Sequence, residues 1–157
     1  MEFSSPVTAE LILKNIPFKI FQHPGPIKSL EQAAHERGQA PEQVIRSLLF
    51  RISQNVYIML LVAGPKQVSW SKLRHHIGQS RMTMASEDEV LAITGYQLGA
   101  VSPFGLPKPL RILVDHRVFS PEEVSIGSGV RGVSVILKTK DFKTALGEVE
   151  VARFMPD

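Results

Sequence analysis

Two consecutive apolar segments constrain the fold more than any other part of this sequence. Segments 44–52 (VIRSLLFRI) and 55–64 (NVYIMLLVAG) are rich in β-branched and long apolar side chains, and only Ser53 and Gln54 separate them. Segments of this length and composition favour strands, and a two-residue connection favours an antiparallel hairpin. The sequence therefore predicts a hairpin with a turn at Ser53 and Gln54, and a second strand that is deeply buried.

The other predicted elements do not alternate regularly between strand and helix. Strands are predicted at 18–22, 81–85, 110–115, 123–126 and 133–138. Helices are predicted at 6–15, 29–38, 69–78, 86–95 and 139–147, several of them bounded by a capping serine or a terminal glycine. We therefore expect an α+β fold, in a single domain over residues 1–157, with a mixed and largely antiparallel sheet.

The composition narrows the class of protein. Of the 157 residues, 43% are hydrophobic and 21% are charged, which is enough to bury the core of one domain. No run of about 18 apolar residues occurs, so no membrane span is expected. An acidic residue at position 2, with no apolar segment after it, argues against a secretory signal. The lack of cysteine excludes disulfides and a cysteine nucleophile, and fits a cytoplasmic protein.

The sequence contains none of the common catalytic or metal-binding motifs. It lacks the P-loop, the Gly-x-Ser-x-Gly elbow and the His-Glu-x-x-His pattern. The five histidines are dispersed, and the neighbours His75 and His76 would point in different directions on a helix. We therefore expect no metal and no cofactor. The net charge of +3 suits brief contact with RNA rather than duplex DNA, although ordinary solubility explains it equally well.

Segment 94–105 (TGYQLGAVSPFG) combines three glycines with apolar anchors. Gly95 follows a capped helix and is expected to end it in a left-handed conformation. Gly99 and Gly105 have no such local role, which favours positive φ or a close approach to backbone or ligand. A rigid loop of this kind presents backbone N–H groups that can hold a carbonyl or an oxyanion. A well-packed crossover loop without a ligand is the alternative, and both remain open.

A second glycine cluster occupies segment 125–132 (SIGSGVRG), between two predicted strands. It can be a simple hairpin connection. It can also form a second wall of a pocket, with Ser128 and successive backbone N–H groups facing inward, as in an anion nest.

Arg46 stands out because it is a charged residue in an apolar strand. By the two-residue period of a strand it shares the more apolar side with Val44, Leu48 and Phe50. A charge on such a face requires a partner or a purpose.

Five segments carry a resemblance to a known family. They are 15–24 (NIPFKIFQHP), 41–50 (PEQVIRSLLF), 93–105 (ITGYQLGAVSPFG), 111–115 (RILVD) and 124–137 (VSIGSGVRGVSVIL). In this order and spacing, over nearly the whole chain, they resemble the YbaK/prolyl-tRNA-synthetase-associated editing domain family. The spacing of Gly99 and Pro103 matches the family's Gly-x-x-x-Pro signature.

The resemblance implies a fold and an activity. The fold would be a barrel-like core with surrounding helices. The protein would be a free-standing cytosolic hydrolase for translational quality control, which cleaves the ester of mischarged tRNA, commonly tRNA(Pro) carrying a small wrong amino acid. Its partners would be the acceptor end of aminoacyl-tRNA and a prolyl-tRNA synthetase, with no metal, cofactor, membrane or DNA.

The resemblance also implies site residues. Gly99, with its neighbouring N–H groups, would hold the ester carbonyl as part of the catalytic site. Ser102 and Pro103 would contact the substrate, with Pro103 shaping the pocket floor. Gly127 and Ser128 would close the other side.

Arg46 stands where the family has an important lysine, and would anchor a phosphate or the ribose of the terminal adenosine. Arginine holds anions well but does not act as a general base. This departure supports an alternative from another class, a catalytically degenerate member that binds tRNA or a small metabolite without hydrolysis. Release of amino acid from mischarged tRNA separates the two.

Overall fold

The computed structural model describes residues 3–157, which form five α-helices, eight strands and two 3-10 turns. The helices are α1 (Pro6–Leu13), α2 (Leu30–Glu36), α3 (Trp70–Ile77), α4 (Glu87–Thr94) and α5 (Thr139–Leu146). The strands are β1 (Lys19–Gln22), β2 (Ile45–Ser53), β3 (Val56–Ala63), β4 (Thr83–Met84), β5 (Arg111–Asp115), β6 (Glu123–Gly127), β7 (Val133–Lys138) and β8 (Glu150–Ala152). The 3-10 turns are Pro41–Gln43 and His116–Phe119. Position 2, used above against a secretory signal, lies outside the described residues.

Capping residues fix the helix ends much as the sequence predicts. The Ser29 hydroxyl accepts from the backbone N–H of Gln32 and begins α2. Ser86 and Glu89 form a complete capping box at the start of α4, and such a cap is worth about 1 kcal/mol. Gly95 ends α4 in the left-handed region, with φ of 80°. These local signals therefore place the helices before any tertiary contact is considered.

The predicted hairpin is present, and its turn is one residue later than expected. Strands β2 and β3 pair antiparallel, with Ile45 opposite Ala63 and Phe50 opposite Ile58. Ser53 still belongs to β2, and the turn contains Asn55 with φ of 60°. Asparagine tolerates this left-handed conformation better than most residues, which explains the shift.

The strands form two separate sheets. The larger has the order β4-β2-β3-β5-β8, in which β5 pairs parallel with both β3 and β8, and the smaller has the antiparallel order β1-β7-β6. The α+β class with a mixed, largely antiparallel sheet is thus confirmed. A short strand, β8, and the 3-10 turn after β5 were not predicted.

The barrel-like core implied by the resemblance does not close. Among residues 3–157, one isolated bridge connects the two sheets here, between Val44, just before β2, and Ser125 of β6. On the same edge of β2, the short strand β4 pairs only with Phe50 and Arg51. The first half of β2 therefore has an open edge where the two sheets diverge.

Apolar side chains fill both faces of the larger sheet. One cluster contains Met59 and Leu61 of β3 and packs against the smaller sheet, α1 and α5. The other contains Leu60 of β3 with Leu73 of α3 and Phe154 near the C-terminal end. Strand β3 is buried from both sides, as predicted. Within residues 3–157, no helix is both long and apolar enough to cross a membrane.

Candidate active site

A cleft of about 340 Å³ lies where the two sheets diverge. Its walls come from α2, the first half of β2, the end of β6 and the loop around Gly99. It contains three of the six residues expected at a site: Arg46, Gly99 and Gly127. A larger concavity of about 720 Å³ beside α4 is lined by none of the six. The smaller cleft is therefore the candidate site.

The loop between α4 and β5 forms one wall and is held in a fixed shape. The Tyr96 hydroxyl donates to the Phe104 carbonyl at 2.6 Å, and burial raises the pKa of Tyr96 to about 12, so the donor keeps its proton. The backbone N–H of Gly129 donates to the Ala100 carbonyl at 3.0 Å. Gly99 has φ of 89°, which L-residues rarely adopt. The loop therefore combines buried apolar anchors, Tyr96 and Phe104, with a glycine of positive φ, Gly99, as expected from the sequence.

Gly127 brings β6 against this loop. A Cβ atom at this position would lie within 3.0 Å of the backbone oxygens of Ala100 and Val101. Backbone atoms cannot move aside as a flexible side chain can. Only glycine therefore permits the close contact that closes one end of the cleft.

Arg46 lines the cleft, but its guanidinium is engaged by the protein. Its Nε donates to the Gly64 carbonyl at 2.7 Å, and its Nη2 donates to the Lys66 carbonyl. The side chain is half-buried, and burial lowers the pKa of its guanidinium. Arg46 thus ties the segment after β3 to the wall of the cleft. The two carbonyls are the partners that a charged residue on the apolar side of β2 was expected to need.

The side chains of Ser102, Pro103 and Ser128 lie outside the cleft. The buried Ser102 hydroxyl accepts from the backbone N–H of Phe104 at 3.3 Å. The buried Ser128 hydroxyl accepts from the N–H of Val130 at 3.1 Å and donates to its carbonyl at 2.9 Å. Pro103 lines a separate concavity beside α1. Both serine hydroxyls thus hydrogen-bond within their own loops, and their contact with substrate stays a prediction.

Two serines that were not expected at the site, Ser47 and Ser125, line the cleft instead. Ser47 Oγ and Ser125 Oγ are buried, and neither has a hydrogen-bond partner among residues 3–157. A buried hydroxyl without a partner is costly, and a bound ligand can supply the missing bond. Ser47 is the lone hydroxyl residue within the apolar segment 44–52, and this was the one signal available in the sequence.

The open edge of β2 adds backbone groups to the same wall. The Leu49 carbonyl accepts from Ala85, so Leu49 points its backbone groups away from β3. Residues two apart on a strand point their backbone groups to the same side. The N–H and C=O of Ser47 therefore face the cleft. The wall combines backbone dipoles and hydroxyls, which can stabilise a developing oxyanion without a charged side chain.

A hydrogen-bonded network on the opposite wall was also missed. Arg37 Nη1 donates to Ser134 Oγ at 2.6 Å and to His23 Nε2 at 2.9 Å. His23 Nδ1 lies 2.7 Å from Glu36 Oε1, and this hydrogen bond lowers the pKa of the Glu36 carboxyl. Because arginine only donates, His23 accepts at Nε2 and carries its hydrogen on Nδ1. Both ring nitrogens of this histidine are thus occupied.

The fold and the cleft define a class: an α+β domain with a small cleft whose walls include backbone and hydroxyl groups. The family model of the aminoacyl-tRNA editing domain matches residues 24–145 of this chain. The chain belongs to this family, which confirms the resemblance found in its sequence.

Curated proteins and solved structures agree with this membership. The chain is 30% identical over 129 residues to the "Multifunctional Ser/Thr-tRNA deacylase ProXp-y" of Escherichia coli (strain K12), covering 80% of this chain and 77% of the relative. It is 30% identical over 100 residues to the proline–tRNA ligase of Kosmotoga olearia, covering 64% of this chain and 17% of the ligase. A structure solved as a candidate trans-editing enzyme for prolyl tRNA synthetase shares the fold, with a TM-score of 0.84 at 23% identity, covering 99% of this chain and 100% of that chain.

Proposed function

We propose that this protein is a free-standing aminoacyl-tRNA deacylase that hydrolyses the ester of mischarged tRNA for translational quality control. The observation that carries the proposal is the cleft at the open edge of β2, where Ser47 and Ser125 hold unpartnered hydroxyls in a chain of the editing family. The E. coli relative, whose name records a Ser/Thr-tRNA deacylase, supports the same reaction class.

The chemistry of the substrate suits a site that offers backbone and hydroxyl groups to the reacting ester. An aminoacyl ester is already activated, so orienting a water molecule and stabilising the oxyanion provide much of the catalysis. The backbone N–H groups of Ser47 and Gly99 are the proposed oxyanion donors, since the N–H of Ala100 already donates to the Gln97 carbonyl. The nucleophile would be water, because Ser47 Oγ and Ser125 Oγ have no hydrogen-bond partner among residues 3–157 and therefore no base to activate them. Ser134 Oγ lies 3.4 Å from His23 Nε2, but both atoms already accept from Arg37 Nη1.

The size of the cleft favours a small amino acid. Its volume of about 340 Å³ is at the lower end of the roughly 300–1,000 Å³ typical of ligand pockets. The proposed substrate is tRNA(Pro) with a small wrong amino acid, such as alanine, serine or threonine.

The test is release of radiolabelled amino acid from tRNA(Pro) charged with alanine, serine, threonine or proline. We expect turnover of at least one small wrong amino acid and little release of proline. Ser125→Ala should lower kcat/KM for the preferred substrate by roughly 2–10-fold, since a neutral hydrogen bond contributes about 0.5–1.5 kcal/mol. Thr139→Val is the matched control, because Thr139 Oγ1 is also buried and unpartnered but does not line the cleft.

The alternative function is a binding module without hydrolysis, and Arg46 in place of the family lysine favours it. It predicts that the protein binds uncharged and charged tRNA with similar affinity and releases no amino acid from any member of the panel. That result would reject the deacylase proposal.

We expect activity to be independent of metal ions. Among residues 3–157, no group of three or more histidine, aspartate or glutamate side chains converges in a way that could hold a metal. Dialysis against EDTA should leave the rate of deacylation unchanged within a factor of two. Loss of activity on dialysis, and its return with zinc or magnesium, would contradict the mechanism.

The proposal also defines partners and location. Its substrate is the acceptor end of aminoacyl-tRNA, which is present in the cytosol, where translation occurs. Because proline–tRNA ligases contain a related segment, the ligase that produces the mischarged tRNA is the proposed second partner. Co-purification of the two proteins with and without tRNA tests this contact.

A further inference from the structure

Arg37 is a cation on the cleft wall that forms no direct ion pair within residues 3–157. Among residues 3–157, no carboxylate oxygen lies within 4.0 Å of its guanidinium. Its Nη2 has no hydrogen-bond partner in the same part of the chain, whereas Nη1 and Nε are engaged. The side chain is half-buried, and burial lowers the pKa of the guanidinium. Glu36 acts on Arg37 only through space, because its carboxylate is bonded to His23. A partly desolvated guanidinium with a free Nη2 and no directly bonded carboxylate indicates that an anion from outside completes the site.

The network around Arg37 holds the guanidinium in one orientation. Ser134 Oγ and His23 Nε2 both accept from Nη1, at 2.6 Å and 2.9 Å. Glu36 Oε1 in turn lies 2.7 Å from His23 Nδ1 and fixes the histidine ring. One side of the planar group is therefore fixed against the protein while Nη2 stays available, and little side-chain freedom remains to be lost on binding.

Arg46 is a second arginine that lines the cleft. It uses Nε and Nη2 to hold the backbone carbonyls of Gly64 and Lys66, and its Nη1 has no hydrogen-bond partner among residues 3–157. Both arginines therefore keep one terminal nitrogen for an anion. Arg37 is the one that does not also anchor a backbone segment, since its partners are the side chains of Gln39, His23 and Ser134.

We propose that Arg37 binds a phosphate group of the RNA end that enters the cleft. This inference rests on the proposed function, because it takes aminoacyl-tRNA as the ligand. In an aminoacyl ester the carboxyl group is esterified and carries no charge, so the phosphates are the anions that this substrate brings. Guanidinium and phosphate form short, charge-assisted hydrogen bonds.

The first experiment measures binding without any reaction. The affinities of adenosine 5′-monophosphate, adenosine and uncharged tRNA(Pro) are compared for the wild type, Arg37→Gln and Arg37→Lys. Arg81→Gln is the matched control, because Arg81 is exposed, lies outside the cleft and undergoes the same loss of charge. Melting temperatures confirm that each variant is folded.

We expect Arg37→Gln to weaken binding of the monophosphate and of tRNA by roughly 10–100-fold, as for the loss of a charged hydrogen bond. Arg37→Lys should lose less affinity for the monophosphate and tRNA than Arg37→Gln does. Adenosine, which has no phosphate, should bind to all variants with equal affinity. The slope of log affinity against log salt for tRNA should become shallower by about 0.7 for one lost single-strand phosphate contact. With charged tRNA, KM should rise while kcat changes little.

Three results would overturn the inference. If Arg37→Gln bound the monophosphate and tRNA as tightly as the wild type, Arg37 would not contact a phosphate. The same conclusion would follow if Arg81→Gln lost as much affinity as Arg37→Gln. An equal loss for adenosine would show that Arg37 acts through the shape of the cleft. If Arg37→Gln does not fold, the same comparison is made with Arg37→Lys, whose binding of the monophosphate must then fall relative to wild type. These binding assays need no hydrolysis. If the wild type bound tRNA through Arg37 but released no amino acid, the deacylase proposal would be rejected while the phosphate contact of Arg37 would stand.

Discussion

Replacing Gly127 by alanine should lower kcat/KM for deacylation by about a hundredfold, because a displacement of about 1 Å in a site can cost that much. The new Cβ would lie within 3.0 Å of the backbone oxygens of Ala100 and Val101. The loop that carries Gly99 must then move away from β6, and the cleft loses its shape at the proposed oxyanion site.

The same change should reduce stability measurably. Forcing a methyl group into a packed contact costs about 1–3 kcal/mol, which corresponds to a fall in melting temperature of roughly 2–12 °C for a domain of this size. Activity and melting temperature are therefore measured on the same preparations. The activity loss should persist well below the melting temperature, where the variant is fully folded.

Gly25→Ala provides the control for this prediction. Gly25 is exposed, does not have a left-handed φ, and an added Cβ would meet no atom within 4 Å. This variant should keep wild-type activity and melting temperature. If Gly127→Ala behaved in the same way, the close approach of β6 to the loop would not control the site.

The second large effect is expected at Arg46. Arg46→Ala removes the donors that hold the Gly64 and Lys66 carbonyls. Hydrogen bonds from a charged group contribute about 1.5–3 kcal/mol, and partial exposure of this side chain places the loss near the lower value. The segment after β3 should loosen, and kcat/KM should fall by roughly one to two orders of magnitude.

Arg46→Lys separates stability from activity. The single ammonium group of lysine cannot bond to the Gly64 and Lys66 carbonyls with the two-nitrogen geometry of a guanidinium. The free energy of unfolding should therefore recover only in part relative to Arg46→Ala. The change restores the residue that the family carries, and we expect it to retain or raise deacylation. Chemical denaturation and steady-state kinetics measure the two effects. If both variants kept wild-type stability, turnover and tRNA affinity, Arg46 would be a surface charge with no role in the site.

The parts of the fold that were predicted correctly are encoded by neighbouring residues. The β2–β3 hairpin follows from two apolar runs with a two-residue gap, and Ser86 and Gly95 mark both ends of α4. The error of one residue in the hairpin turn arose because Asn55 tolerates a left-handed φ, which the apolar pattern does not encode. Strand β8 is only three residues long, too short for a periodic signal.

The candidate site was predicted only in part. Arg46, Gly99 and Gly127 do meet in one cleft. Ser102 and Ser128 were expected there because they occur in the right segments, but their hydroxyls turn back to their own loops. Position in a sequence motif does not determine which way a side chain points once the loop has packed.

The sequence by itself determined the α+β class, most of the helices and strands, the glycines that permit tight backbone contacts and the membership of an editing family. The tertiary structure alone decided where the two sheets separate, and with that which groups face the cleft. The Arg37 to Ser134 bond joins residues 97 positions apart, and the Arg46 to Gly64 bond joins residues 18 apart. Capping and periodicity act between near neighbours and can be recognised along the chain, whereas the partners of a buried hydroxyl or a guanidinium depend on packing between distant segments.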